Sequence, residues 1–263
     1  MTCLTLTEDR GIAIVTLNRP EKKNAMSLEM FEALTEMGES LNRPGIRAVV
    51  LTGAGDSFCA GIDLNAMQSF LPKIEEIRTE LVTPLKDGAN WFQRPTRVWQ
   101  ALPVPVIAAI EGVCFGAGLQ LALAADFRIA APSARLSIME AKWGLIPDMG
   151  LTTTLPKLMR ADLAKELMMT ARIMEADEAQ SHGLFTRISD QPLTDALALA
   201  SDLLGKSPDA LSGIKALVET AWSGAAEDTL AVEGQLQSKI IGQPNQIEAV
   251  VSAMQKRDPV FKG

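Results

Sequence analysis

The sequence predicts a layered α/β fold that ends in a helical region. Residues 46–52 and 105–110 are continuous apolar runs, the pattern of strands covered on both faces. Stretches with helical spacing alternate with them, as helix-on-sheet layering requires. The turn Gly116-Ala117-Gly118 follows a strand-like run and opens a helix, which marks a tight strand-to-helix junction.

The elements follow in order. Residues 4–7 and 12–17 alternate in polarity around Glu8-Asp9-Arg10-Gly11 and predict a β-hairpin. Ser27 is a candidate N-cap, with Met30, Leu34, Met37 and Leu41 recurring behind it at helical spacing. Beyond the strand at 46–52, residues 66–100 are helical in tendency but polar and poorly patterned, broken by Pro72, Pro84, Gly88 and Pro95. Such a segment, carrying Trp91, Phe92 and Trp99, is a candidate cover for a pocket. After the strand at 105–110, the helix opened by residues 116–118 runs through 119–125, and short strands are expected at 127–131 and 136–138. From Thr152 the pattern is mostly helical, over 161–171, 175–182, 193–204, 210–221, 227–241 and 245–256. No linker-like composition intervenes, so one core with a helical C-terminal appendage is expected.

Composition narrows the function. A chain of 263 residues, 47% hydrophobic, can build a sizeable core and is not disordered. Its net charge of −7 argues against a nucleic-acid partner, which needs a basic patch. Cys3, Cys59 and Cys114 are far apart with no CxxC pair, so neither a metal site nor a disulfide framework is expected. His182 is the only histidine. With no Gly-x-Ser-x-Gly turn to partner it, it reads as a helix C-terminal residue before the stop signal Gly183. The N-terminus has no basic stretch followed by an apolar one, and no apolar run reaches the roughly 20 residues a bilayer demands. A reduced, cytoplasmic setting without a membrane partner is therefore expected.

Two glycine-bearing stretches carry the chemistry. Phe58-Cys59-Ala60-Gly61-Ile62-Asp63-Leu64 and Gly112-Val113-Cys114-Phe115-Gly116-Ala117-Gly118-Leu119-Gln120 each follow an apolar run. Both put small residues where backbone N–H groups can face a ligand. Two such groups converging on one carbonyl oxygen make an oxyanion hole, which stabilises negative charge developing there.

These stretches belong to a larger pattern. Leu17-Asn18-Arg19-Pro20 is followed by Asn24-Ala25-Met26, then by Phe58 to Leu64, and then by Pro105-Val106-Ile107-Ala108-Ala109-Ile110-Glu111-Gly112. Gly116-Ala117-Gly118, Ala125-Asp126 and the tail Lys256-Arg257-Asp258-Pro259-Val260-Phe261-Lys262-Gly263 complete it. In order and spacing the chain resembles the enoyl-CoA hydratase/isomerase (crotonase) superfamily over most of its length. The resemblance implies an α/β fold built as a crotonase-like spiral of ββα units. Residues 1–200 would form the core with the thioester site, and 201–263 a helical region that packs in homotrimers or homohexamers. It implies an acyl-CoA substrate and no cofactor beyond the coenzyme A of that substrate. The implied oxyanion donors are the N–H groups of Ile62 and Ala117. Ala117 lies at a helix start, where unpaired N–H groups favour negative charge. Lys22 and Lys23 beside Asn24-Ala25 are candidate neighbours of the coenzyme A phosphates, and backbone around Ala60 is placed against the adenine. Ala25, Asp63, Leu64, Phe115 and Gly116 complete the implied binding set, and Met67, Phe70, Leu71, Trp91, Phe92 and Trp143 are candidates for the acyl pocket.

The carboxylates select among the reactions of the superfamily, which share an enolate of the thioester. Hydratases carry two glutamates, at the positions that here are Gln120 and Glu140. An amide cannot accept a proton at physiological pH, so Gln120 departs from the hydratase pattern and is left to hold water or thioester by hydrogen bonds. Glu140 is then the candidate acid/base, and the resemblance implies an enoyl-CoA double-bond isomerase, 3-enoyl to 2-enoyl, as such isomerases rely on one glutamate at this position. Asp148 is a further acidic candidate, matched by an aspartate in dienoyl-CoA isomerases, unless it caps the helix that begins near Leu151. The alternatives are an enoyl-CoA hydratase (a lyase) and, from another class, a non-catalytic acyl-CoA-binding scaffold.

Overall fold

The chain begins with strands β1 (Leu4–Asp9) and β2 (Ile12–Leu17), paired antiparallel. The connecting turn is shorter than expected. It is Arg10 and Gly11 alone, both at positive φ (47° and 87°), the two-residue geometry whose twist matches that of the strands. The computed structural model describes residues 2–85, 87–223 and 226–262, with the side chains at 71 and 226–231 outside that description.

Helix α1 (Leu28–Ser40) is capped by Ser27, whose hydroxyl accepts the Met30 N–H. Strand β3 (Ala48–Gly53) lies parallel to β2. The segment expected to cover a pocket folds as helices α2 (Leu64–Ser69), α3 (Ile74–Val82) and α4 (Arg94–Ala101), each bounded near one of the predicted breakers. Then come β4 (Val106–Ile110), β5 (Val113–Phe115), α5 (Ala117–Leu123), β6 (Phe127–Ala130) and β7 (Arg135–Ser137). Beyond the short helix α6 (Leu151–Thr154) lie α7 (Ala161–Thr170), β8 (Met174–Glu175), α8 (Ala176–Ser181) and β9 (Arg187–Ile188). His182 and Gly183 end α8 as the sequence predicts, Gly183 at φ +80°. Helices α9 (Pro192–Leu204), α10 (Pro208–Ala221), α11 (Ala226–Ile240) and α12 (Pro244–Gln255) form the C-terminal region.

Two sheets result. The larger has the order β1-β2-β3-β4-β6-β9, and the smaller β5-β7-β8. The chain leaves β4 for β5 and β6 for β7, so these two circuits each add a strand to both sheets before a helix follows. This is the expected ββα spiral. Its corner at Gly112 has φ +51°, and a Cβ there would sit 2.0 Å from the Asp56 carbonyl oxygen, so only glycine fits. Strand alternation divides the larger sheet between two cores. Ala48, Val50, Ile107 and Ala109 face Ala196 and Ala200 of α9, whereas Val49, Leu51, Ala108 and Ile110 face the main core with α1. Among the described residues, no helix is long and apolar enough to cross a membrane.

One ion pair ties α10 to the sheet. Lys215 Nζ donates to Asp126 Oδ2 at 2.8 Å and to the Val104 carbonyl at 3.1 Å, and Asp126 Oδ2 also accepts the Val106 N–H at 2.8 Å. Asp126 of the Ala-Asp motif is therefore a structural acid.

Candidate active site

The loop after β3 is laid against β5 by backbone bonds. Phe58 and Cys59 N–H groups donate to the Glu111 and Val113 carbonyls, and Phe115 N–H donates back to Cys59. Gly61 turns the loop at φ +97°. Its carbonyl accepts the Met26 N–H at 2.7 Å, and the Asp63 N–H donates to the Met26 carbonyl at 2.8 Å. The groups on either side of Ile62 N–H are thus pinned, while that N–H donates to no described residue. The same is true of Ala117 N–H in the first turn of α5, behind Gly116 at φ +50°. Close approach brings the two together. A Cβ on Gly61 would stand 3.0 Å from the Phe115 carbonyl oxygen and 3.9 Å from Ala117 N, and one on Gly118 would collide with Cys59 at 2.6 Å. Two free, rigid amides therefore flank one spot, the arrangement an oxyanion hole requires.

Glu140 opens a 3₁₀ turn over Glu140–Trp143 and is buried beside this spot. Its Oε1 would lie 3.6 Å from a Cβ placed on Gly116. Gln120 Nε2 donates to Glu140 Oε1 at 2.7 Å, and Gln120 Oε1 accepts the Met149 N–H at 2.9 Å. Glu140 Oε2 is buried with no partner among the described residues. Burial pushes the Glu140 carboxyl above its ordinary pKa, and the charge of nearby Asp148 adds to the rise, while the Gln120 hydrogen bond opposes it. Gln120 thus ties Glu140 to the Met149 main chain, and with a second N–H on Nε2 it also lines the cavity.

Asp148 faces the same cavity and is open to water there, yet protein atoms crowd it enough that desolvation raises its pKa. It is not a helix cap: Gly150 holds the N-cap position of α6, and no side chain caps it. Met149, next to it, is fixed from both sides, since Thr96 Oγ1 of α4 donates to its carbonyl. Sequence reasoning missed Thr96, which sits in the poorly patterned stretch with nothing to mark it.

The cavity measures about 710 Å³ and includes Ala25, Ala60, Ile62, Asp63, Leu64, Gly116, Ala117, Gln120, Glu140 and Asp148 in its wall. Of the predicted set, Lys23 and Phe115 do not line it, but Lys22 does. Lys23, at φ +48°, instead receives the Ala60 N–H on its carbonyl. Asp63 lines the wall with its charge already used. One oxygen caps α2 through the Asn65 N–H, and the other pairs with Arg19 Nη2 at 2.8 Å. Arg19 Nη1 also donates to the Ala25 carbonyl at 2.5 Å, so this pair clamps the donor loop to the turn at 19–25. Asn24 reinforces that turn: its Oδ1 accepts the Arg19 N–H and its Nδ2 donates to the Ala54 and Ser57 carbonyls. Away from the carboxylates the wall is apolar, with Phe31, Met67, Phe70, Ile77, Leu81, Phe92 and Trp143. Trp91 stacks on Phe31 at 5.4 Å from behind, and the Leu71 side chain lies outside the described residues.

Comparison with known proteins gives the family and the fold. The sequence model of the family described as "Enoyl-CoA hydratase/isomerase" matches residues 7–263. The mitochondrial Delta(3,5)-Delta(2,4)-dienoyl-CoA isomerase of Mus musculus is 36% identical over 250 residues, covering 93% of this chain and 76% of that one. Carnitinyl-CoA dehydratase of Escherichia coli O157:H7 is 34% identical over 272 residues, covering 99% and 98%. The crystal structure of an enoyl-CoA hydratase from Bacillus anthracis superposes with a TM-score of 0.90 at 30% identity, covering 99% of each chain. With a spiral of two sheets, two free amides and a buried glutamate already in place, the chain belongs to the enoyl-CoA hydratase/isomerase family and is an acyl-CoA enzyme of the crotonase fold.

Proposed function

We propose that the protein is an enoyl-CoA double-bond isomerase in which Glu140 carries the proton. The observation that supports this most is the 2.7 Å contact between Gln120 Nε2 and Glu140 Oε1. The amide held there cannot serve as a second acid or base. Hydration needs a held water and proton transfer to C2, whereas isomerisation needs one carboxylate that takes and returns a proton.

The chemistry follows from the site. The thioester oxygen of a 3-enoyl-CoA accepts the Ile62 and Ala117 N–H groups. Ionised Glu140 removes a proton from C2, and the electron pair delocalises onto that oxygen and C4. The protonated Glu140 then delivers the same proton to C4, leaving the double bond between C2 and C3. The positively charged Lys22 at the cavity edge suits the phosphates of coenzyme A, and the apolar wall suits the acyl chain.

A second reading draws on Asp148. Converting a 3,5-diene to a 2,4-diene removes a proton at C2 and adds one at C6, too far apart for one carboxyl group. Two carboxyl groups of raised pKa in one cavity answer that need, and a relative at 36% identity bears that activity in its name. Separate incubation with 3-enoyl-, 3,5-dienoyl- and 2-enoyl-CoA tests both. Conjugation of the first substrate without hydration of the last supports the proposal. Turnover of the diene that is lost in Asp148→Asn supports the second reading, and efficient hydration of the 2-enoyl ester overturns both.

A further inference from the structure

On the reading of Glu140 as the proton carrier, Gln120 acquires a role of its own. Gln120 is 3% exposed, and both ends of its amide are used. Its orientation is dictated from outside. The Met149 N–H can only donate, so the end of the amide that meets it must be the oxygen. The NH₂ end is thereby forced toward Glu140, where it can only donate to Oε1. Thr96 fixes the far side of Met149 by donating to its carbonyl, so the Met149 N–H is not free to turn away. The peptide that supplies this N–H is the one joining Met149 to Asp148. A single buried side chain therefore connects the two acid-bearing segments, Glu140 on its 3₁₀ turn and Asp148 before α6.

We propose that Gln120 is a positioning residue which, turned the one way Met149 N–H allows, grips the Glu140 carboxylate by one oxygen and keeps it aimed beside the oxyanion hole. The grip leaves Oε2 with no partner among the described residues, so that oxygen faces the site without a hydrogen bond. Because an amide does not titrate, the grip holds at every working pH. A glutamate in its place would grip only while protonated, since two ionised oxygens could not share this 2.7 Å contact.

The test reads proton removal itself, not product formation. Deuterium uptake at C2 of octanoyl-CoA in D₂O, followed by mass spectrometry across pH, is measured for the wild type, Gln120→Met and Gln120→Glu. Circular dichroism confirms that each variant is folded. Gln120→Met removes the donor and is expected to exchange about 10²-fold more slowly at all pH values with KM little changed, the scale of a misaimed catalytic group. Its acid limb should also move to higher pH, because the lost hydrogen bond favoured the ionised form. Gln120→Glu is expected to restore exchange at mildly acidic pH and to acquire a new basic limb that the wild type lacks. Wild-type rate and profile in Gln120→Met, or the absence of a new limb in a folded Gln120→Glu, would overturn the proposal. Exchange of octanoyl-CoA without isomerisation of a 3-enoyl-CoA by the wild type would refute the isomerase reading alone.

Discussion

Gly61→Ala tests the proposed oxyanion hole without removing any functional group. Two penalties follow from the structure. At φ +97° an alanine is held in a left-handed conformation, which costs about 1–2 kcal/mol. The new Cβ also meets the Phe115 carbonyl oxygen at 3.0 Å, against 3.4 Å for ordinary contact. Neither partner can yield cheaply, because both are backbone and Phe115 N–H is bonded to Cys59. The loop and β5 must therefore separate by a few tenths of an ångström, and that moves Ile62 N–H relative to Ala117 N–H. The expected result is a stability loss of about 2–3 kcal/mol together with a fall in kcat of about 10²–10³, the effect of losing one oxyanion donor. Gly45→Ala is the control. It has the same kind of φ, +91°, with nothing within 4 Å of the added Cβ, so it should lose about 1–2 kcal/mol and keep its kcat. Urea unfolding and steady-state turnover of a 3-enoyl-CoA, at a temperature where all three proteins are folded, give both quantities. A Gly61→Ala protein that is destabilised as predicted but keeps its kcat within about threefold would refute the reasoning.

Further consequences can be checked alongside. Glu140→Gln should lower kcat by about 10²–10⁴. In stability its effect depends on pH. A buried carboxyl whose pKa lies above the ordinary 4.5 favours the folded state when protonated, and that advantage is lost as pH rises through the raised value. Glu140→Gln should therefore match the wild type below about pH 4 and exceed it near pH 7, as read by thermal melts at both. For the wild type, kcat/KM should fall on acidification with a midpoint above 4.5, since only ionised Glu140 can take the C2 proton. An acid limb at or below that value would contradict the buried-base account. Lys215→Met strips the partner from half-buried Asp126 and should destabilise by about 1.5–3 kcal/mol while leaving kcat per folded molecule unchanged. Adding Asp126→Asn should recover part of that loss in the same urea titration.

The parts legible in the sequence were those with a local signature. The runs at 46–52 and 105–110 announced β3 and β4 because both faces are covered, and Ser27 announced α1 by its cap. Strands β5, β8 and β9 are two or three residues long, too short for alternation to show, and they form only because a neighbouring strand offers free backbone groups. The two free amides were legible because glycines 61 and 118 are demanded by close backbone approach and Gly116 by its φ of +50°. The work of Gln120 was not, since its partners Glu140 and Met149 lie 20 and 29 positions away and one of them is a main-chain N–H. Asp148 could also be read as a cap, and only the placement of Gly150 at the start of α6 excludes that. Arg19 and Asp63 stood in recognised motifs, but that they pair with each other across 44 positions is a fact of the fold alone.

Whether a thioester is polarised where its α-proton meets a base can be read from one crystal structure, that of the protein with bound octanoyl-CoA. The acyl oxygen is predicted to lie about 2.7–3.1 Å from the nitrogens of both Ile62 and Ala117, with a Glu140 carboxylate oxygen against C2. An acyl oxygen bonded to neither nitrogen, or a Glu140 side chain swung out of the cavity, would contradict it.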